Sequence, residues 1–208
     1  MSKKLNIATP KGTASWPKLN TPEYKFDDAG VYTVDLVVSP EVAAEFSGTL
    51  TEIANANRDQ AYVRGGSGGA PDSAPIKLPI SPYLDKDKKE TGDMKIRCKM
   101  KAFFRDSKTG EDRPNPPTFI DAMKRNIFPA PTVGGGSELI LGCQVRLNYV
   151  QGMLYVSLAP RVVQILELRE GFGTTPDDFG LTEMSGFVSP GESFSDTVPE
   201  KGDGSPSF

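Results

Sequence analysis

The chain has 208 residues, with 24 Lys and Arg against 27 Asp and Glu (net −3), two cysteines and no histidine. This length suits one barrel-sized domain, and no apolar run approaches the roughly 20 residues that span a bilayer. Without histidine the commonest general base is missing and a zinc site would have only two soft ligands, so no cofactor, metal or membrane is expected.

The charge is unevenly spread. From Gly171 to Phe208 seven carboxylates face one lysine, a net −6, which leaves +3 on residues 1–170. A cationic body with an anionic tail points to nucleic-acid binding by the body. The start, "MSKKLNIATP", is basic but lacks the apolar stretch of a secretory signal, so a soluble, cytosolic protein is expected.

In chain order, Met1–Asp28 reads as short extended pieces broken by Pro10, Pro17 and Pro22. "GVYTVDLVVS" (Gly30–Ser39) alternates and is β-branched, a strand with Tyr32, Val34, Leu36 and Val38 inward. Ser39-Pro40-Glu41 then opens a helix, with Ser as N-cap and Pro at the first position, and helical spacing continues toward Tyr62. Arg64–Pro75 is a loop by composition.

The stretch "DMKIRCKMKAFFRD" (Asp93–Asp106) is the most informative. Met94, Ile96, Cys98, Met100, Ala102 and Phe104 occupy one phase; Lys95, Arg97, Lys99, Lys101, Phe103 and Arg105 occupy the other. As a strand, this puts the cations in one row about 6.5–7 Å apart. Such a row suits the phosphates of an extended nucleic-acid strand, with Phe103 offering a ring on which a base stacks. Exposed strands also carry lysine for solubility alone, but opposite charges would then be expected among them, and this phase has none.

The turn "DSKTGED" (Asp106–Asp112) predicts a hairpin, with Thr118–Ala122 as a short return strand. Lys124–Ser137 is a Pro- and Gly-broken connection. Three strands follow: "ELILGCQVRLNYV", "GMLYVSLAP" and "RVVQILELRE". Arg146 lies opposite in phase to Val145 and Leu147, and Tyr155 opposite to Leu154 and Val156. Tyr149 and the Lys-flanked Trp16 are further stacking candidates, though each such ring alone is more readily explained by core or edge packing. Cys98 and Cys143 fall on apolar phases and read as buried free thiols. "VGGGSE" (Val133–Glu138) lacks the Lys and the following helix of a phosphate loop, so it is a glycine turn. The expected architecture is a mainly β, closed barrel of five to six strands with one inserted helix over residues 1–175. A flexible acidic tail, 176–208, is expected to be disordered from about Phe187 and ends in Phe208. A terminal aromatic with its carboxylate is a compact ligand for an apolar pocket rimmed by cations.

The chain resembles the bacteriophage single-stranded DNA-binding proteins of the podovirus replication type. The matching stretches are the Met1-Ser2-Lys3-Lys4 start, "GVYTVDL", "MKIRCKMKAFFRDSKTGE", "GGGSELIL", "LELREGFG" and the terminal Phe208, in order and in spacing. The resemblance implies an OB fold, no enzymatic activity, and sequence-tolerant protection of single-stranded DNA during phage replication and recombination, in the cytoplasm of the infected bacterium. It further implies that the tail (Asp196, Glu200, Asp203, Phe208) contacts the replicative DNA polymerase and helicase–primase, and by analogy that a homodimer forms through tail exchange. Lys3 and Arg97 match basic positions of the family, whereas Ala29 stands where the family has arginine. The expected phosphate contacts are Lys3, Lys95, Arg97, Lys99, Lys101, Arg105 and Arg146; the expected stacking residues are Trp16, Phe103, Tyr149 and Tyr155. The rival readings are a structural β-barrel virion component without affinity for single strands, and a metal-dependent enzyme acting on nucleic acid through clustered carboxylates.

Overall fold

The computed structural model describes residues 5–169 apart from Phe26, Ser67, Lys86 and Ser107. It begins with β1 (Leu5–Ala8), β2 (Gly12–Glu23) and β3 (Val31–Val38), followed by helix α1 (Pro40–Ala56) and a single 3-10 turn, Arg58–Gln60. Short strands β4 (Tyr62–Val63), β5 (Ile76–Lys77) and β6 (Ile80–Leu84) lead to β7 (Glu90–Lys101). Then come β8 (Phe103–Arg105), β9 (Asp112–Pro114), β10 (Thr118–Ile120), β11 (Glu138–Val150) and β12 (Met153–Glu167).

Five of these close a ring, β11–β2–β3–β7–β12, and β12 pairs back along the whole length of β11. Closure removes the unpaired edges that an open sheet of apolar-faced strands would leave. The expected alternation drives it. Val34, Leu36 and Val38 of β3, Ile96 and Cys98 of β7, and Leu139, Leu141, Cys143, Val145 and Leu147 of β11 all turn into one core. Helix α1 seats Ala43, Phe46, Leu50 and Ala54 against the same core. The result is an OB-fold-like barrel with one helix between β3 and β7, its second and third strands in chain order.

Four sequence expectations change here. The helix stops at Ala56, because Asn57 leaves the helical conformation and its Nδ2 takes the Ile53 carbonyl at 2.7 Å; a side chain thus replaces the next backbone donor. Tyr62 is therefore on a strand. The N-terminal pieces join into a 12-residue β2 that runs through Pro17 and Pro22, with register shifts on either side of Lys18; bulges are where a strand tolerates proline. The two last predicted strands are one, β12, with buried Pro160 placed at another register shift. The strand returning from the hairpin is β9, while β10 pairs in parallel with β12.

Cys98 and Cys143 meet in the barrel interior as free thiols, Sγ to Sγ 3.8 Å. Their contact and their burial push the Cys98 thiol well above its usual range, which keeps it protonated and inert at neutral pH.

Candidate nucleic-acid interface

On β7, Lys95, Arg97, Lys99 and Lys101 point outward while Ile96, Cys98 and Met100 are buried. The neighbouring strand supplies what the phase itself lacks. Asp35 of β3 pairs in register with Arg97 and is only 8% exposed. Its Oδ1 accepts from Arg97 Nε at 2.8 Å and its Oδ2 from Nη2 at 2.9 Å, with Lys95 Nζ 3.4 Å away. This bidentate contact raises the Arg97 pKa, hydrogen bonding outweighing the opposing cost of desolvation. Ser15 of β2 stands opposite Asp35 and shares a hydrogen bond with Tyr83 Oη at 3.4 Å. The upper end of the row is thus a knitted polar patch whose two cations already share a carboxylate. Lys99 and Lys101 have no carboxylate partner among the described residues.

The row also ends earlier than alternation predicts. β7 stops at Lys101, and buried Ala102 donates its N–H to Gly30 O at 2.9 Å, which bends the chain into the β8–β9 hairpin. Past the bend the two aromatic rings exchange parts. Phe103 packs partly against Tyr32, Met100, Ala102 and Ala159, whereas Phe104 is 48% exposed. Phe103 is therefore a support as much as a platform, and Phe104, expected inside, presents its ring.

Below the hairpin lies a cleft of about 1330 Å³. β1, β11 and β12 supply one part of its lining through Asn6, Gln144, Arg146 and Arg161, and Lys101, Phe103, Phe104 and Arg105 supply another. Arg161 owes its position to a bulge. The β11–β12 register passes from Gly142↔Val162 to Cys143↔Pro160, leaving Arg161 as the extra residue, and a bulge re-aims the side chain it carries. Among the described residues its guanidinium is held by amides. Nη1 donates to Asn115 Oδ1 and Nη2 to Gln144 Oε1 at 3.1 Å. Asn115 in turn donates Nδ2 to Lys101 O at 3.1 Å and its backbone N–H to Ala102 O at 2.8 Å, so one residue fixes both the hairpin root and Arg161.

Desolvation, then the like charge of Arg146, lowers the Arg161 pKa. An arginine remains protonated through such a shift, so the effect is a positive charge with unmet attraction for an anion. Four cations and two aromatic rings converge on the cleft, against the carboxylates of Asp28 and Asp112. A flexible polyanion with flat bases is the ligand class that uses both kinds of group.

The remaining predicted residues are dispersed. Trp16 is 66% exposed in the β2 bulge with φ +48, beside Ser15 and outside the cleft lining. Tyr155 is exposed on the outer face of β12. Tyr149 is half-buried against the core and does not share that face, because it keeps the phase of Leu147. Lys3, Asp196, Glu200, Asp203 and Phe208 lie outside the described residues. Arg161 and Phe104 escaped the sequence reading. The usable signal for Arg161 was Pro160 inside a strand, which implies a bulge; for Phe104 there was none, since two adjacent rings fall on opposite faces and only the bend decides which is which.

No family model matches the chain, and no curated protein matches it in sequence. Solved structures do match. The chain is similar to gp2.5, a single-stranded DNA-binding protein encoded by bacteriophage T7, with a TM-score of 0.54 at 23% identity over 90% of this chain and 100% of that one. It is also similar to the single-stranded DNA-binding protein from bacteriophage Enc34 in complex with single-stranded DNA, with a TM-score of 0.55 at 14% identity over 81% and 89%. A C-terminal truncation of the Enc34 protein gives a TM-score of 0.53 at 13% identity over 80% and 88%. The chain has the fold of these bacteriophage single-stranded DNA-binding proteins.

Proposed function

We propose that this protein binds single-stranded DNA without sequence preference and serves phage DNA replication and recombination. The observation that carries the reading is the cleft, where Arg146 and Arg161 stand beside Lys101, Arg105 and the Phe104 ring with amides rather than carboxylates holding Arg161. Phosphates take the cations and bases stack on the exposed ring; neither contact reads sequence. The shared fold with proteins named for the same ligand supports it, one of them seen with single-stranded DNA. The phosphate contacts are Lys101, Arg105, Arg146 and Arg161, with Lys99 extending them and Lys95 and Arg97 contributing less; Lys3 is a further contact that the family resemblance implies. Phe104 stacks, helped by Phe103 and Tyr155, and Trp16 is a separate exposed ring.

Residues 1–175 form the binding domain in this reading. The acidic segment 176–208 competes with DNA for the cations and recruits the replicative polymerase and helicase–primase through its terminal Phe208. A fluorescence titration of the full chain with oligo-dT and with a matched duplex, over a salt series, tests the core claim. Tight, salt-sensitive binding to the single strand and much weaker binding to the duplex is expected; equal affinity for both, or none for oligo-dT, refutes it. Deleting Gly191–Phe208 should tighten binding, and unchanged or weaker binding would remove the tail's competing role.

A further inference from the structure

We propose that Tyr62, Asn148, Tyr155 and Lys77 form a second nucleotide-binding station, a seat for one base next to the cleft; this rests on the single-stranded DNA reading above. The four residues come from four strands and lie in one row. Tyr62 of β4 is in register with Asn148 of β11, Asn148 with Tyr155 of β12, and Tyr155 with Lys77 of β5. They share the outer face, since buried Leu147 and Leu154 take the opposite phase. Tyr62 is 64% exposed and Tyr155 38%.

Strand spacing sets the geometry. Neighbouring strands lie about 4.8 Å apart, so the two tyrosines stand about 9.6 Å from each other with Asn148 between them. Aromatic pairs favour centroid separations of about 4.5–7 Å. A flat ring placed midway, over the short Asn148 side chain, is therefore within stacking distance of both tyrosines. The Asn148 amide makes no side-chain hydrogen bond among the described residues, which leaves a donor and an acceptor for the edge of the inserted ring. Lys77 at the end of the row supplies a cation for the adjoining phosphate.

Continuity with the cleft identifies the occupant. Arg146 lines the cleft and points outward two residues before Asn148 on the same strand, about 6.8 Å away, close to one nucleotide step of an extended strand. The outward positions between them and around them, Gln144, Arg146, Asn148, Tyr155 and Ser157, include no carboxylate. The patch around Asp35 differs in this respect. A strand whose phosphate is held by Arg146 has its next base within reach of the seat.

The test compares oligo-dT with an abasic oligomer of equal length, using the full chain, Tyr62→Ala and Tyr62→Phe, with binding followed by anisotropy. The expected result for Tyr62→Ala is a loss of oligo-dT affinity of about fivefold to a hundredfold. Affinity for the abasic strand should be unchanged, and Tyr62→Phe should retain binding to both. Tyr62→Ala leaving oligo-dT affinity intact, or weakening both strands equally, overturns the base seat. Failure of the unmodified protein to bind either strand overturns the underlying reading, and the seat with it, and is told apart from the other results because no variant is involved.

Discussion

Arg97 and Arg161 lie on the surface of the same barrel and differ in what holds them. Arg97 is gripped at two points by Asp35, which also draws in Lys95, and its charge is already answered. Arg161 is positioned just as firmly, but by the neutral oxygens of Asn115 and Gln144, with Arg146 near enough to repel it. The carboxylate raises one pKa; desolvation and a like charge lower the other. Counting cations on a face therefore says little about anion affinity. The partner of each cation decides whether it braces the protein or waits for a ligand.

The sharpest way to break this comparison is the double variant Arg146→Ala with Arg161→Ala. It should lower oligo-dT affinity by about a hundredfold at moderate salt, and reduce the slope of log affinity against log salt by about 1.4, two single-strand phosphate contacts' worth. An unaltered slope would mean the cleft is not where phosphates sit. Next in size is Phe104→Ala, expected to cost affinity by about fivefold to a hundredfold with little change in melting temperature. Phe103→Ala should do the reverse in emphasis, lowering stability by on the order of 2 kcal/mol because the ring is only partly buried. If Phe103→Ala were instead the purely functional variant, the exchange of roles at the bend would be wrong.

Asp35→Asn sharpens the contrast from the other side. It releases Arg97 and Lys95, so the salt slope should steepen by up to about 1.4 while thermal stability falls, both measurable on one preparation. The smallest effect is expected from Arg97→Ala, within about threefold in affinity, because the side chain removed is one whose charge Asp35 largely offsets. A tenfold loss there would move the binding path back onto β7.

Local signals made much of the fold legible. The alternations of β3, β7 and β11 each report a strand with one buried face, and Ser39-Pro40 reports where α1 starts, since each depends on residues close in sequence. The helix end was missed because the Asn57 side chain, rather than a glycine or proline, terminates it. Within the candidate site, Lys101, Arg105 and Arg146 were readable as outward cations. Their grouping was not, because the cleft joins β1, the β8–β9 hairpin, β11 and β12. The pairing of Arg97 with Asp35 spans 62 positions, so the absence of acids within the strand's own phase was no guide to its neighbour's.

Along β7, β11 and α1 the sequence by itself determined which side chains face water and which face the core, because strand and helix periods are local and burial of apolar area enforces them. It also determined the cationic balance of the body. Tertiary structure alone decided which cations keep an unanswered charge, by setting strand register, the bend at Ala102 and the bulge at Arg161. The reason is the steep fall of electrostatic and hydrogen-bond energies with distance: a carboxylate at 2.8 Å or an amide at 3.1 Å determines what an arginine can do, and only folding sets that distance.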